Sequence, residues 1–249
     1  MERAAAESPT HGVLYLGDNF YPKGVQSVRD SQWLHKFEWL YGGAHLRGMP
    51  FFAVLGNHDA EGVVAAQISY ARTRVGSARW RMDDRFYARE FGRLNGRALV
   101  SAVFLDTVSL RKDPAEQLEF LQSVFTPDNT AVWRIVVGHF GFRSVTREPY
   151  TRNLTLSSLL PELQALRVDL CLNANDRFQQ ILDRPGEPLH VSANGGGDKI
   201  ETGVSAEDSA TDFAASQSGF AVVAIDEHAI TAELRTADGK VAFRRKRQR

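Results

Sequence analysis

Four apolar runs in this sequence end on side chains that can hold a metal ion or move a proton. Leu14-Tyr15-Leu16 stops at Gly17-Asp18, and the phenol of Tyr21 follows three residues later. A second run ends at Asn57-His58-Asp59, a third at His139, and a fourth leads to Asn175-Asp176-Arg177. Any one of these alone reads as an ordinary polar turn or a structural histidine. Asp, Tyr, Asn and His at successive strand ends make a stronger pattern, because carboxylate, phenolate, amide oxygen and imidazole suit a hard or borderline divalent or trivalent metal.

Strands must deliver those groups, and the runs have that form. Residues 12–18, 50–57, 134–140 and 168–173 are short and continuously apolar, as strands are when both faces of a sheet are covered. Helical spacing appears between them, at Trp33, Phe37 and Leu40, at Leu118, Leu121 and Phe125 behind Pro114, and over Leu156–Leu166. Residues 1–8 are mostly good helix formers. The last quarter changes to strands at 219–226, 229–236 and 240–245, the final two joined by Ala237-Asp238-Gly239. Alternating strands and helices closed by an antiparallel section predict an α/β layered fold in a single domain over 1–249. In open α/β sheets, ligands gather beyond the carboxyl ends of the strands, where these polar groups lie.

Composition narrows the function classes. At 249 residues the chain can bury a sizeable core, and 43% hydrophobic with 24% charged residues is ordinary for a globular protein. Basic and acidic residues number 30 each, so no global field favours nucleic acid or an anionic membrane. The basic C-terminal end, 244–249, reads as a solvated end, with RNA or an acidic protein as its conceivable contacts. A single cysteine, Cys171, excludes an internal disulfide framework and reads as a core residue. No run reaches membrane-span length, and residues 1–8 lack a signal-peptide core, which leaves the compartment open. The sequon at Asn153 reads as chance in that context.

Gly17-Asp18-Asn19-Phe20-Tyr21, Gly56-Asn57-His58-Asp59 and Val137-Gly138-His139 together resemble the calcineurin-like metallophosphoesterases. Within them they resemble the purple, tartrate-resistant acid phosphatases, because the tyrosine follows the aspartate at three residues. "LDTVSL" and the closing strands are similar to that family as well. The resemblance implies an α/β/β/α sandwich of sheets flanked by helices, and a pair of metals, iron and a second divalent ion, clamping a phosphate ester. It implies that Asp18 bridges both metals, Tyr21 ligates the iron, Asn57 and His139 ligate the second ion, and His58 contacts the phosphate or leaving group.

The rest of the family pattern departs. Its Gly-His-Asp-His motif falls on Ala174-Asn175-Asp176-Arg177, where Asn175 offers only a weak amide ligand and Arg177 cannot donate a lone pair. A substrate-facing histidine falls on Glu148, which would repel phosphate. A further aspartate belongs to a strand upstream of Met1. The expectation is therefore a phosphatase fold kept as a non-catalytic structural or binding subunit of a larger assembly. Its cofactor is expected to be none, or one weakly bound divalent metal, and not a dinuclear iron–zinc-type centre. The alternative is a metal-dependent phosphomonoesterase with a reduced metal site. Arg177 is expected to replace the missing cations beside Asp18 or a neighbouring acid. Protein partners are expected to cover the edge of strand 13–17, unless the natural chain extends upstream to fill it.

Overall fold

A computed structural model describes residues 1–146, 155–193, 200–202, 204 and 211–249. Helix α1 (Glu2–Glu7) leads into strand β1 (Val13–Tyr15), which pairs in parallel with β2 (Phe51–Ala53), and β2 with β3 (Trp80–Arg81). Between β1 and β2 lies one turn of π-helix, Leu34–Glu38. After β2 come the short helices α2 (Asn57–Ala60) and α3 (Val64–Thr73).

A seven-stranded sheet forms the second layer. Its strands are β4 (Tyr87–Leu94), β5 (Arg97–Phe104), β6 (Trp133–Val137), β7 (Leu170–Asn173), β8 (Gln179–Leu182), β9 (Leu189–Ser192) and β10 (Thr211–Ala215), in the order β10-β8-β9-β7-β6-β5-β4. Strands β5, β6, β7 and β9 run parallel, so their carboxyl ends share one edge of the layer. Helices α4 (Thr107–Leu110), α5 (Ala115–Val124) and α6 (Leu160–Ala165) connect them. The chain closes with the antiparallel β11 (Gly219–Ile225), β12 (Ala229–Thr236) and β13 (Val241–Gln248).

Side-chain alternation explains the layering. Phe52 of the first sheet packs on Phe91 and Phe104, while Phe51 and Trp80, on that sheet's other face, pack on Phe37. Val100, Ala102, Phe104, Ile135, Val137, Leu170 and Leu172 join one core with Ile230, Ala232 and Leu234 of the last sheet. Their neighbours one residue along, Val103, Val136 and Cys171, face the other way, onto Leu121, Phe125, Leu160 and Leu163 of the helical layer. Phe37, Ala66 and Tyr70 cover the opposite side, with Trp33 stacked on Tyr70 at 3.6 Å. This is the expected α/β/β/α arrangement. Cys171 is buried and free, and burial pushes its thiol pKa up.

Three expectations need correcting. The strands β4 and β5, with Asn95-Gly96 at their turn, and β8, β9 and β10 add to the expected set. The segment 33–40 is helical but closes as a π-turn, with the Trp39 amide donating to the Leu34 carbonyl at 2.9 Å. The basic end is no solvated tail, because β13 runs to Gln248 and its arginines reach acids on other strands. Arg245 donates to Asp183 at 2.8 Å and lies 3.3 Å from Asp212, Arg244 donates to Glu233 at 2.7 Å, and Arg247 donates to the Glu187 carbonyl at 2.8 Å.

Strand β1 is hydrogen-bonded to β2 on one side. The Val13 amide donates to the Pro50 carbonyl and the Tyr15 carbonyl accepts from Val54, so the intervening Leu14 turns its amide and carbonyl away from β2. Among the described residues no strand pairs with that side.

Candidate functional site

The site forms where the carboxyl ends of β1, β2 and β6 meet. Gly17 and Asp18 both turn through the left-handed region, at φ 87° and 53°, which swings the Asp18 carboxylate back over the strand end. A Cβ on Gly17 would stand 2.6 Å from the His139 ring, and one on Gly56 would stand 2.1 Å from Asp18, so both glycines permit the close approach.

Asp18 is fully engaged. One carboxylate oxygen accepts the Tyr21 hydroxyl at 2.7 Å and lies 3.4 Å from His139 Nε2; the other accepts the His58 amide at 2.9 Å. Burial pushes its pKa up, but the His139 ring, the His58 amide and the Tyr21 hydroxyl outweigh that and hold it at about 2.

His139 is buried and fixed from three directions. Its amide donates to Thr107 Oγ1 at 3.1 Å and its Nδ1 meets the Leu16 carbonyl at 2.8 Å, which requires a proton on Nδ1. Its Nε2 then faces Asn57 Oδ1 at 3.3 Å and Asp18 at 3.4 Å. Two oxygen lone-pair donors facing a bare nitrogen would repel it, so Nε2 needs either a proton or a cation between them. Burial opposes a charged ring, but Asp18 overcomes it and raises the His139 pKa.

The surrounding residues hold this geometry. His58 is half-exposed, with Nδ1 2.7 Å from the Pro22 carbonyl and its ring 4.2 Å from that of Tyr21. Asp59 is completely buried and accepts the amides of Asn19 at 3.0 Å and Gly56 at 2.9 Å, clamping the loops after β1 and β2. Burial pushes its pKa up to about 6. Thr107 accepts both the His139 and Phe140 amides. Neither Asp59 nor Thr107 was singled out as a site residue, although both stand in stretches where a strand ends on a polar group.

The loop after β7 approaches through its backbone, the Ala174 amide donating to the His139 carbonyl at 3.1 Å. Asn175 and Arg177 both have left-handed backbone, at φ 66° and 59°. Between them Asp176 turns inward, accepting Gln180 at 2.6 Å and Ser192 at 3.2 Å, and burial pushes its pKa up to about 7. Arg177 is exposed, and the side chain that stands at 3.4 Å from the Asp18 carboxylate is His139. Glu148 and Asn153 lie outside the described residues.

The donor set decides what fits. Asp18, Asn57 and His139 present two oxygens and one nitrogen to a common point, a fit for a single ion. At the iron position only Asp18 and Tyr21 stand, and the phenol is already donating to the carboxylate. Among the described residues no group of three or more His, Cys, Asp and Glu side chains is placed to hold a metal, so a dinuclear centre does not fit the donors present there.

The family model for calcineurin-like phosphoesterases matches residues 1–174. The chain belongs to that family. Among calcineurin-like phosphoesterases it is similar to purple acid phosphatase 4 of Arabidopsis thaliana, at 31% identity over 216 residues covering 82% of this chain and 63% of that protein. It is similar to tartrate-resistant acid phosphatase type 5 of rabbit (Oryctolagus cuniculus), at 40% identity over 100 residues covering 40% of this chain and 30% of the relative. The chain thus spans less than two thirds of the length of either. Its fold matches GAP50, described as the anchor in the inner membrane complex of Plasmodium, with a TM-score of 0.85 at 22% identity over 99% of this chain and 81% of that one. It also matches the purple acid phosphatase PPD1 of yellow lupin seeds, with a TM-score of 0.73 at 17% identity over 98% of this chain and 48% of that one.

Proposed function

We propose that this calcineurin-like phosphoesterase is a non-catalytic member of its family, acting as a structural or binding subunit of a larger assembly. The observation that carries this reading is the state of the donors around Asp18. Tyr21 and the His58 amide hydrogen-bond its carboxylate, His139 Nε2 lies 3.4 Å from it, and an arginine stands where a second metal-binding histidine belongs. An arginine at that position offers no lone pair to a metal, so the ligand is lost wherever its guanidinium lies. The fold likeness to a protein described as an anchor in a complex supports a role in assembly. We assign the outer side of β1 as one partner contact, since among the described residues that edge is unpaired, and such an edge with half-buried Leu14 and Tyr15 invites strand addition.

The test is metal content by inductively coupled plasma mass spectrometry together with turnover of para-nitrophenyl phosphate across acid to neutral pH. The reading expects much less than one equivalent of iron, no tyrosinate-to-iron absorption band, and no turnover. Two tightly held metals per chain with phosphatase activity would overturn it.

The convergence of Asp18, Asn57 and His139 favours a second reading, a phosphomonoesterase with a reduced metal site. A single divalent ion held by those three would polarise a phosphate oxygen. His58, half-exposed at the mouth, would then contact the phosphate or the leaving group. One equivalent of metal, lost on His139→Ala together with activity, would establish this alternative.

A further inference from the structure

The turn between β1 and β2 is apolar on both of its faces. Inward, Trp33 and Phe37 are buried in the core. Outward stand Leu34 at 46% exposure and Trp39 and Leu40 each at 65%. A π-turn places residues five apart on one face, and the Leu34–Trp39 hydrogen bond fixes that geometry. Leu34 with Trp39 and His35 with Leu40 therefore form two adjacent exposed rows, joined by edge-on contact of the His35 and Trp39 rings at 4.7 Å. Such a turn is expected to be covered on both sides. Among the described residues nothing covers the outer one. The Arg74–Ser77 loop, tied to the turn by the Ser77 amide on Glu38, adds the exposed Val75.

Basic residues dominate around this patch, and the acid that reaches the segment from outside, Glu2, is occupied with the His45 amide at 2.7 Å. From Ser31 to Met49 the only acid is Glu38, and it faces inward onto Arg79 at 3.1 Å and Tyr70 at 2.7 Å. Asp30, just before, is occupied with the amides of Gln26 and Gln32. Lys36 lies within the turn and donates to Gln32 at 2.8 Å and to the Tyr21 carbonyl, while Arg47 and Arg74 are exposed on the segments beside it. An apolar centre carrying an exposed tryptophan, with a basic rim, is the composition that settles into the headgroup region of an anionic bilayer.

We propose that the face formed by Leu34, Trp39, Leu40 and Val75 docks onto an anionic lipid surface. A second copy of the chain is the less favoured occupant, because the four side chains expose roughly 400 Å², about half of the roughly 800 Å² per partner that a stable dimer buries. The basic rim also disfavours a face-to-face pairing with itself. The proposal is independent of whether the cleft binds metal.

Trp39 makes the test direct, since Trp33, Trp80 and Trp133 are all buried to within 2%. The purified chain is mixed with phosphatidylcholine vesicles, with or without roughly a fifth of phosphatidylserine, and binding is read by flotation and by tryptophan emission. Binding to the anionic vesicles, with a blue shift and quenching by brominated acyl chains, is expected. Trp39→Ala with Leu40→Ser should lower the partition coefficient about tenfold or more, and Arg47→Glu with Arg74→Glu should remove the preference for phosphatidylserine. Unchanged circular dichroism and unfolding midpoints in these surface variants would show that the loss is local. Absence of binding at low salt, or binding equal in the Trp39/Leu40 variant, overturns the proposal. So does a concentration-dependent dimer, or capture of an acidic protein, that depends on Trp39 while vesicles are ignored.

Discussion

His190 illustrates what burial does to a single titratable side chain. It lies in β9 with no accessible surface, and among the described residues neither ring nitrogen has a hydrogen-bond partner. Burial drives its pKa down from 6.5 to about 4, against the pull of Glu187 at 3.7 Å. A depressed histidine binds its proton in the unfolded chain before it does so in the folded one. Its contribution is therefore present above pH 6.5 and is lost as pH falls towards 4, with a span of about 3 kcal/mol. His190→Leu is expected to flatten that part of the stability profile. Urea unfolding of both proteins from pH 4 to 7 would check this, read as the difference between them because Asp59 and Asp176, with raised pKa values, change stability in the opposite sense. A difference that stays constant across the range would refute it.

Loops that meet across strand ends hold the site at the scale of elements. Asp59 joins the turn after β1 to the start of α2 through the Asn19 and Gly56 amides, and its other oxygen accepts Gln67 of α3 at 3.1 Å. Asp59→Ala would strand those buried donors, with an expected loss of about 3 kcal/mol; Asp59→Asn, which keeps an acceptor, should cost less. Chemical denaturation would rank them, and equal losses would count against the clamp. Gly17→Ala addresses the same turn from the backbone. It combines a left-handed φ with a Cβ 2.6 Å from the His139 ring, so a loss of about 2 kcal/mol or more is expected, along with displaced His139 resonances in NMR.

At the scale of the whole molecule, the last sheet is tied to the seven-stranded one by charge as well as by apolar packing. Arg245 of β13 reaches Asp183 just after β8 and Asp212 of β10, and Arg247 reaches the Glu187 carbonyl before β9. These residues form half of a strand, so removing 244–249 should lower the melting temperature by several degrees. A solvated tail would leave it unchanged, which makes the melting curve decisive. The single pair Arg245–Asp183 is worth less, because the arginine is 41% exposed. A double-mutant cycle is expected to give a coupling of about 0.5–1 kcal/mol, screened by salt.

Local chemistry settled several features before any fold was known. Asp18, Tyr21, Asn57, His58 and His139 announce themselves because each follows an apolar run, and runs of that kind become parallel strands whose ends share an edge. The layered class follows from the same runs, since a continuously apolar strand must be covered on both faces. The π-turn, by contrast, has a sequence with apolar residues all round, and only packing of Trp33 and Phe37 into the core decides that Trp39 is exposed. Strands β8 and β9 are short and carry Gln180, His190 and Ser192, residues that look polar until the network around Asp176 buries them. The partner of Asp18 was likewise beyond sequence. His139, more than a hundred residues from Asp18 along the chain, arrives beside it through the register of β6 in the central sheet.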